Sequence, residues 1–189
     1  MTFVGEARAS EDAERMYATD LKVQGYVANQ TRVWAHSPES LAALSYALTT
    51  STQTAGLDVR QRALLVTTSA AAMGDAYCSL AFGYKLANAV GPQAAAQAVA
   101  GDDAPLSDLD RALVRWARKV VRRPNETTAE DVEQLRAVGL DDDQIVALTV
   151  FVALRQAFST VNDALGAQPD SELVDRVPAE VRQAVTFGR

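Results

Sequence analysis

The chain has 189 residues, 48% of them hydrophobic, enough for one sizeable core or for a core with a helical annex. Its net charge of −6 comes with no large basic cluster, which argues against nucleic acid as a partner. One cysteine, Cys78, and one histidine, His36, exclude a disulfide framework, a cysteine-rich zinc or iron–sulfur site and a multi-histidine metal site within one chain, so neither a metal nor a cofactor is expected.

Helix start signals recur along the chain and strand alternation is scarce. Ser10 precedes Glu11 and Asp12, a capping residue followed by acids in the first turn. Ser37-Pro38-Glu39 is a sharper start, and Leu41, Leu44, Ala47 and Leu48 follow it at helical spacing. Asp58 is placed to cap a helix running through Leu64, Leu65 and Val66 into the alanines 70–72. Gly74 interrupts that run, and Asp75 can cap a new helix through Leu86. Gly91-Pro92 breaks it before the Ala/Gln-rich stretch Gln93 to Ala100.

Ser107 opens an amphipathic helix with Leu109, Leu113, Trp116, Ala117 and Val120 on one face. Its end carries Arg118, Lys119, Arg122 and Arg123, where the helix dipole favours cations without any phosphate partner. Thr127 or Thr128 caps the segment from Ala129 to Val138, and Gly139 stops it. Asp141 to Asp143 then precede a long helix to Leu165, closed by Gly166. Its apolar residues, among them Ile145, Leu148, Phe151, Val152, Leu154, Phe158 and Val161, cover most of its circumference and predict central burial. The tail from Pro178 to Arg189 is weakly helical at best. The charge-poor run from Ala63 to Tyr84 is broken by Thr67, Thr68, Ser69 and Asp75, so it reads as a core helix rather than a membrane span. Residues 1–10 lack a basic region followed by an apolar one, so no leader is expected and the expected location is cytoplasmic. The fold class that follows is an all-α bundle in a single domain, 1–189.

Between Arg62 and Lys85 the only charged residue is Asp75, three positions before Cys78. With Asp75 at the N-cap, Cys78 falls at the third helical position, where free amides and the helix dipole favour a thiolate. The Asp75 carboxylate opposes that charge, so Cys78 is not expected to be strongly activated. A core role for Cys78 and a plain capping role for Asp75 are the structural alternatives. His36, just before a helix start, reads as a boundary residue, and Trp34, Trp116, Tyr26, Tyr46 and Tyr84 read as packing residues.

The stretch from Asp58 through Arg60-Gln61-Arg62-Ala63 and Met73-Gly74-Asp75-Ala76-Tyr77 to Cys78 resembles the core motif of the carboxymuconolactone decarboxylase / alkylhydroperoxidase D superfamily, in its peroxidase-related branch. Gly25 to Asn29 with Arg32 to Pro38, Leu109 to Asn125, and Phe158 to Gly166 are similar to other parts of that branch, so the likeness spans most of residues 20–166. It implies an alkylhydroperoxidase D-like helical bundle with its core motif at about 58–90, a tail at 167–189, and a homo-oligomer. Candidate interface elements are the helix Ile145–Leu165 and the alanines 94–100.

Peroxidase members of the family use a Cys-x-x-Cys pair, a glutamate before it and a histidine after it. At the matching positions this chain has Asp75 for the first cysteine, Cys78 for the second, Ala63 for the glutamate and Phe82 for the histidine. A dithiol peroxidase needs a second thiol to resolve the sulfenic acid, and Asp75 cannot be that thiol. The resemblance therefore implies a family fold without the dithiol machinery. The pocket is expected to be repurposed for a small apolar ligand: Asp75 and Cys78 are its candidate catalytic residues, and Tyr77 and Phe82 its candidate walls. A one-cysteine hydroperoxide reductase using an external thiol, or a non-catalytic oligomeric binding protein, are the alternatives. Muconolactone decarboxylation would call for convergent cations, and Arg60, Arg62 and Lys85 are expected to be solvated instead.

Overall fold

The computed structural model describes residues 2–189, and these form eleven α-helices and a short 3-10 turn, with no strand among them. In chain order they are α1 (Glu11–Gln24), α2 (Asn29–Trp34), α3 (Pro38–Thr54), α4 (Val59–Met73), α5 (Ala76–Val90), α6 (Pro92–Ala100), α7 (Asp108–Arg122), the turn Pro124–Glu126, α8 (Ala129–Ala137), α9 (Asp142–Ala164), α10 (Ser171–Arg176) and α11 (Ala179–Ala184).

Local chemistry sets most of the starts. Ser10, Asp58, Asp75, Ser107, Thr128 and Asp141 each accept the backbone amide three residues on. Such a cap is typically worth about 1 kcal/mol. Ser37 differs: its hydroxyl donates to Ser40 Oγ at 2.7 Å, so α3 begins on Pro38 with no side-chain cap. The short α2, with no side-chain cap, was not foreseen from the sequence.

The central helix is α4, which buries Gln61 and every residue from Ala63 to Ala70. It packs against α5, α6, α7 and α9, while α3 lies along α9. Two apolar clusters result. The first joins α3, α4, α7 and α9 around Leu65, Val66, Leu148 and Phe151, and it includes Cys78. The second joins α4, α5, α6, α10 and α11 around Leu64, Leu86, Ala95 and Val181.

Two expectations change. The helix α9 is not buried all round: Ile145, Leu148, Phe151, Val152, Arg155, Ser159 and Asn162 face the bundle, whereas Val146 and Val150 are exposed. It packs on the side that meets α3, α4, α7 and α8. The tail is also more ordered than its sequence suggests, since α11 docks on α6 and α5 and Val181 is fully buried. The alanine face of α6 (Ala95, Ala98) is thereby covered by the chain's own tail.

Candidate functional site at the Asp75 turn

The site begins at the elbow between α4 and α5. Gly74 closes α4 with φ +80°, a left-handed conformation that glycine adopts freely, and the chain reverses so that Asp75 starts α5. Asp75 Oδ1 accepts the Cys78 amide at 2.9 Å. Both side chains are sealed from solvent, Asp75 at 0% and Cys78 at 1% exposure. The second Asp75 oxygen, Oδ2, has no hydrogen-bond partner.

The partner that meets Cys78 comes from α9. Arg155 Nη2 lies 3.3 Å from Cys78 Sγ, and Ser159 Oγ donates to the same sulfur at 3.7 Å. The Arg155 guanidinium lies 4.9 Å from the Phe82 ring centre and 4.7 Å from that of Phe158, distances at which a cation is attracted to an aromatic face. Phe158 in turn stacks on Trp34 at 5.3 Å, and Trp34 Nε1 donates to Asn162 Oδ1 at 2.9 Å. Arg155 is 6% exposed, and its Nε is as unpartnered as Asp75 Oδ2. The sequence reading missed it. Its one linear signal is that Arg155 is the only charged residue between Asp143 and Asp163.

Burial, and then the neighbouring Asp75 charge, push the Cys78 thiol up to about 12. Arg155 and Ser159 pull the other way and do not prevail. Cys78 at neutral pH is thus a protonated thiol, a poor nucleophile at rest. Burial also lowers the pKa of Arg155, opposed by Cys78 and Asp75. The cluster therefore holds one acid and one base-derived cation around a neutral sulfur, with an unmet acceptor and an unmet donor. Buried polar atoms of this kind call for a partner such as water or a ligand.

An open groove of about 410 Å³ reaches this cluster at Ser159 and is also lined by Arg122, Gln156, Asp163 and Arg189. Burial and Asp75 hold the Asp163 carboxyl at about 6, with Arg189 opposing. Asp75 and Cys78 do not line the groove; Cys78 lies one hydrogen bond behind Ser159. Among the described residues no three His, Cys, Asp or Glu side chains gather as a metal site would need.

The chain superposes on a peroxidase-related protein from Ralstonia eutropha JMP134, described as an alkylhydroperoxidase AhpD core, with a TM-score of 0.77 and 22% identity over 94% of this chain and 97% of that one. The fold is that of the alkylhydroperoxidase D core. A peroxidase-related protein from Silicibacter sp. TM1040 agrees, with a TM-score of 0.76 and 21% identity over 90% of this chain and 93% of that one. No family model matches the sequence, and no curated protein matches it.

Within this AhpD-like fold the residues singled out from the sequence separate. Cys78 and Phe82 meet at Arg155, and Asp75 joins them through the Cys78 amide. Tyr77 does not join them: it packs in the second core, and its hydroxyl donates to the Asp170 carboxylate. Ala63, at the relay-glutamate position, is buried in that same apolar core. His36 is exposed, and its ring bonds the Gly5 carbonyl, so it offers Cys78 no base. The three cations considered for a dicarboxylate do not converge. Arg60 makes a paired bond with Asp110 at 2.8 and 3.1 Å, Arg62 is exposed, and Lys85 Nζ stands 4.4 Å from the Phe82 ring centre.

Proposed function

We propose that this AhpD-like chain lacks the dithiol peroxidase machinery and uses the Asp75–Cys78–Arg155 cluster as a repurposed small-molecule site. One observation carries this reading: Cys78, the chain's single cysteine, is held between the Asp75 carboxylate that caps its helix and the Arg155 guanidinium, with no second thiol to resolve it. Asp75 Oδ2 and Arg155 Nε are the anchors, one accepting from the ligand and one donating to it. Asp75 is the group suited to move a proton, Phe82 walls the cluster, and entry runs past Ser159 from the open groove. A homo-oligomer joined through the exposed side of α9 and a cytoplasmic location belong to the same proposal.

The test is a peroxide challenge of the pure protein, following Cys78 by mass spectrometry with and without an external thiol. Cys78 is expected to stay reduced. Rapid sulfenic acid formation would overturn the reading in favour of a one-cysteine hydroperoxide reductase. The 3.3 Å approach of Arg155 to the sulfur favours that second reading, because a cation there would stabilise a thiolate once formed.

A further inference from the structure

A second groove, of about 480 Å³, opens on the other flank of the elbow, beside Ala76 at the start of α5. Its lining is apolar where Leu80, Val174, Val185 and Phe187 meet, and cationic where Arg182 and Arg189 stand. No acidic residue lines it. Among the described residues neither arginine forms an ion pair. Arg60, Arg118 and Arg136, by contrast, each have a carboxylate partner.

Arg189 is held in place by backbone packing. Gly188 has φ +76°, and a Cβ there would come within 2.6 Å of the Gly74 carbonyl oxygen and 2.9 Å of the Ala76 nitrogen. The segment is therefore pressed onto the elbow itself. The Arg189 guanidinium also lies 4.9 Å from the Phe3 ring centre, and the Phe3 amide donates a hydrogen bond at 2.8 Å to the carbonyl of Leu165, just past the end of α9.

We infer that this groove binds an amphipathic carboxylate, an acyl chain whose head is taken by Arg182 and Arg189. Guanidinium groups match a carboxylate in shape and charge. The apolar floor removes the chain from water, and the volume lies in the range of small-molecule sites. Arg189 also borders the first groove, near Asp163, so the two grooves share that residue, but binding here requires no reaction at Cys78.

The probe is decanoate, titrated calorimetrically below its micelle concentration, with decan-1-ol, decylamine and acetate as controls. Saturable one-to-one binding of decanoate is expected, at least about tenfold tighter than decan-1-ol, with none for acetate. Raising salt from about 20 mM to about 500 mM should weaken decanoate binding and leave decan-1-ol binding unchanged, because exposed arginines are screened. The double variant Arg182→Ala, Arg189→Ala, checked for native helicity, should lose at least about tenfold for decanoate and little for the alcohol. The inference is overturned by equal binding of alcohol, amine and acid, by an unaffected double variant, or by sedimentation with phosphatidylglycerol vesicles when free decanoate does not bind. The peroxide result at Cys78 is read separately, so the two ideas fail independently.

Discussion

Arg155 is a buried cation whose hydrogen bond goes to a neutral thiol rather than to a carboxylate. Its charge is balanced at longer range by Asp75, which is itself fully buried. Removing one member of such a pair leaves the other uncompensated in a dry interior. Asp75→Asn keeps an N-cap of similar quality but loses the charge, so its expected cost of about 2–4 kcal/mol measures the lost pairing. Arg155→Met should cost a similar amount, and the double variant should recover most of the loss in urea unfolding. Strict additivity would mean that the two charges do not interact. Cys78 adds a pH signature. Its folded thiol keeps its proton to about 12, whereas an unfolded cysteine loses it near about 9. The folded state is thus favoured below pH about 9, and stability falls as pH rises towards 12, at up to about 1.4 kcal/mol per pH unit. Tyr77 and Tyr26, both raised chiefly by burial, begin to act later, and Lys85, lowered by burial, acts in the opposite sense, so the thiol's share between about pH 9 and 10 is read by comparison with a variant. Cys78→Ala should flatten the fall there. A capping aspartate and a cysteine three residues on could be read locally, because the bond between them is local. Arg155 could not, since it lies 77 positions further along the chain and meets Cys78 only once the chain has folded.

At the scale of the elements, the helices that announced themselves are those with capping side chains and a long apolar run or face, as in α4, α7 and α9. The short helices α2, α10 and α11 have six residues each and no side-chain cap. Helices of that length have little stability of their own, so tertiary contact decides them. In α11 that contact is Val181 against Gly83 of α5, where a Cβ on the glycine would come within 2.7 Å of Val181 Cγ1. Gly83→Ala should therefore destabilise the protein despite a gain of about 1 kcal/mol in helix propensity, because overpacking costs about 1–3 kcal/mol. Combining it with Val181→Ala should cost about 1–2 kcal/mol less than the two single losses together. If thermal melts of Gly83→Ala match or exceed the parent, α11 does not depend on that close approach. The misjudged burial of α9 has a related cause. Hydrophobic count describes how much of a helix could be buried, while the number of neighbours decides how much is.

For the whole molecule, α9 is long and apolar enough to cross a membrane by composition, yet one side of it packs into the bundle and carries Arg155 and Asn162 there. Its other side leaves Val146 at 62% and Val150 at 42% exposure, the surface proposed for self-association. Replacing both valines by lysine should shift the protein to monomer in light scattering without changing its helicity. A parent protein that is already monomeric at micromolar concentration removes that proposal. Phe82 has a further consequence. It packs against both apolar clusters, and its ring lies against the Arg155 guanidinium, so each half of the molecule rests on the same side chain. Phe82→Ala would therefore loosen both clusters at once, through a single cavity that neither cluster alone can close.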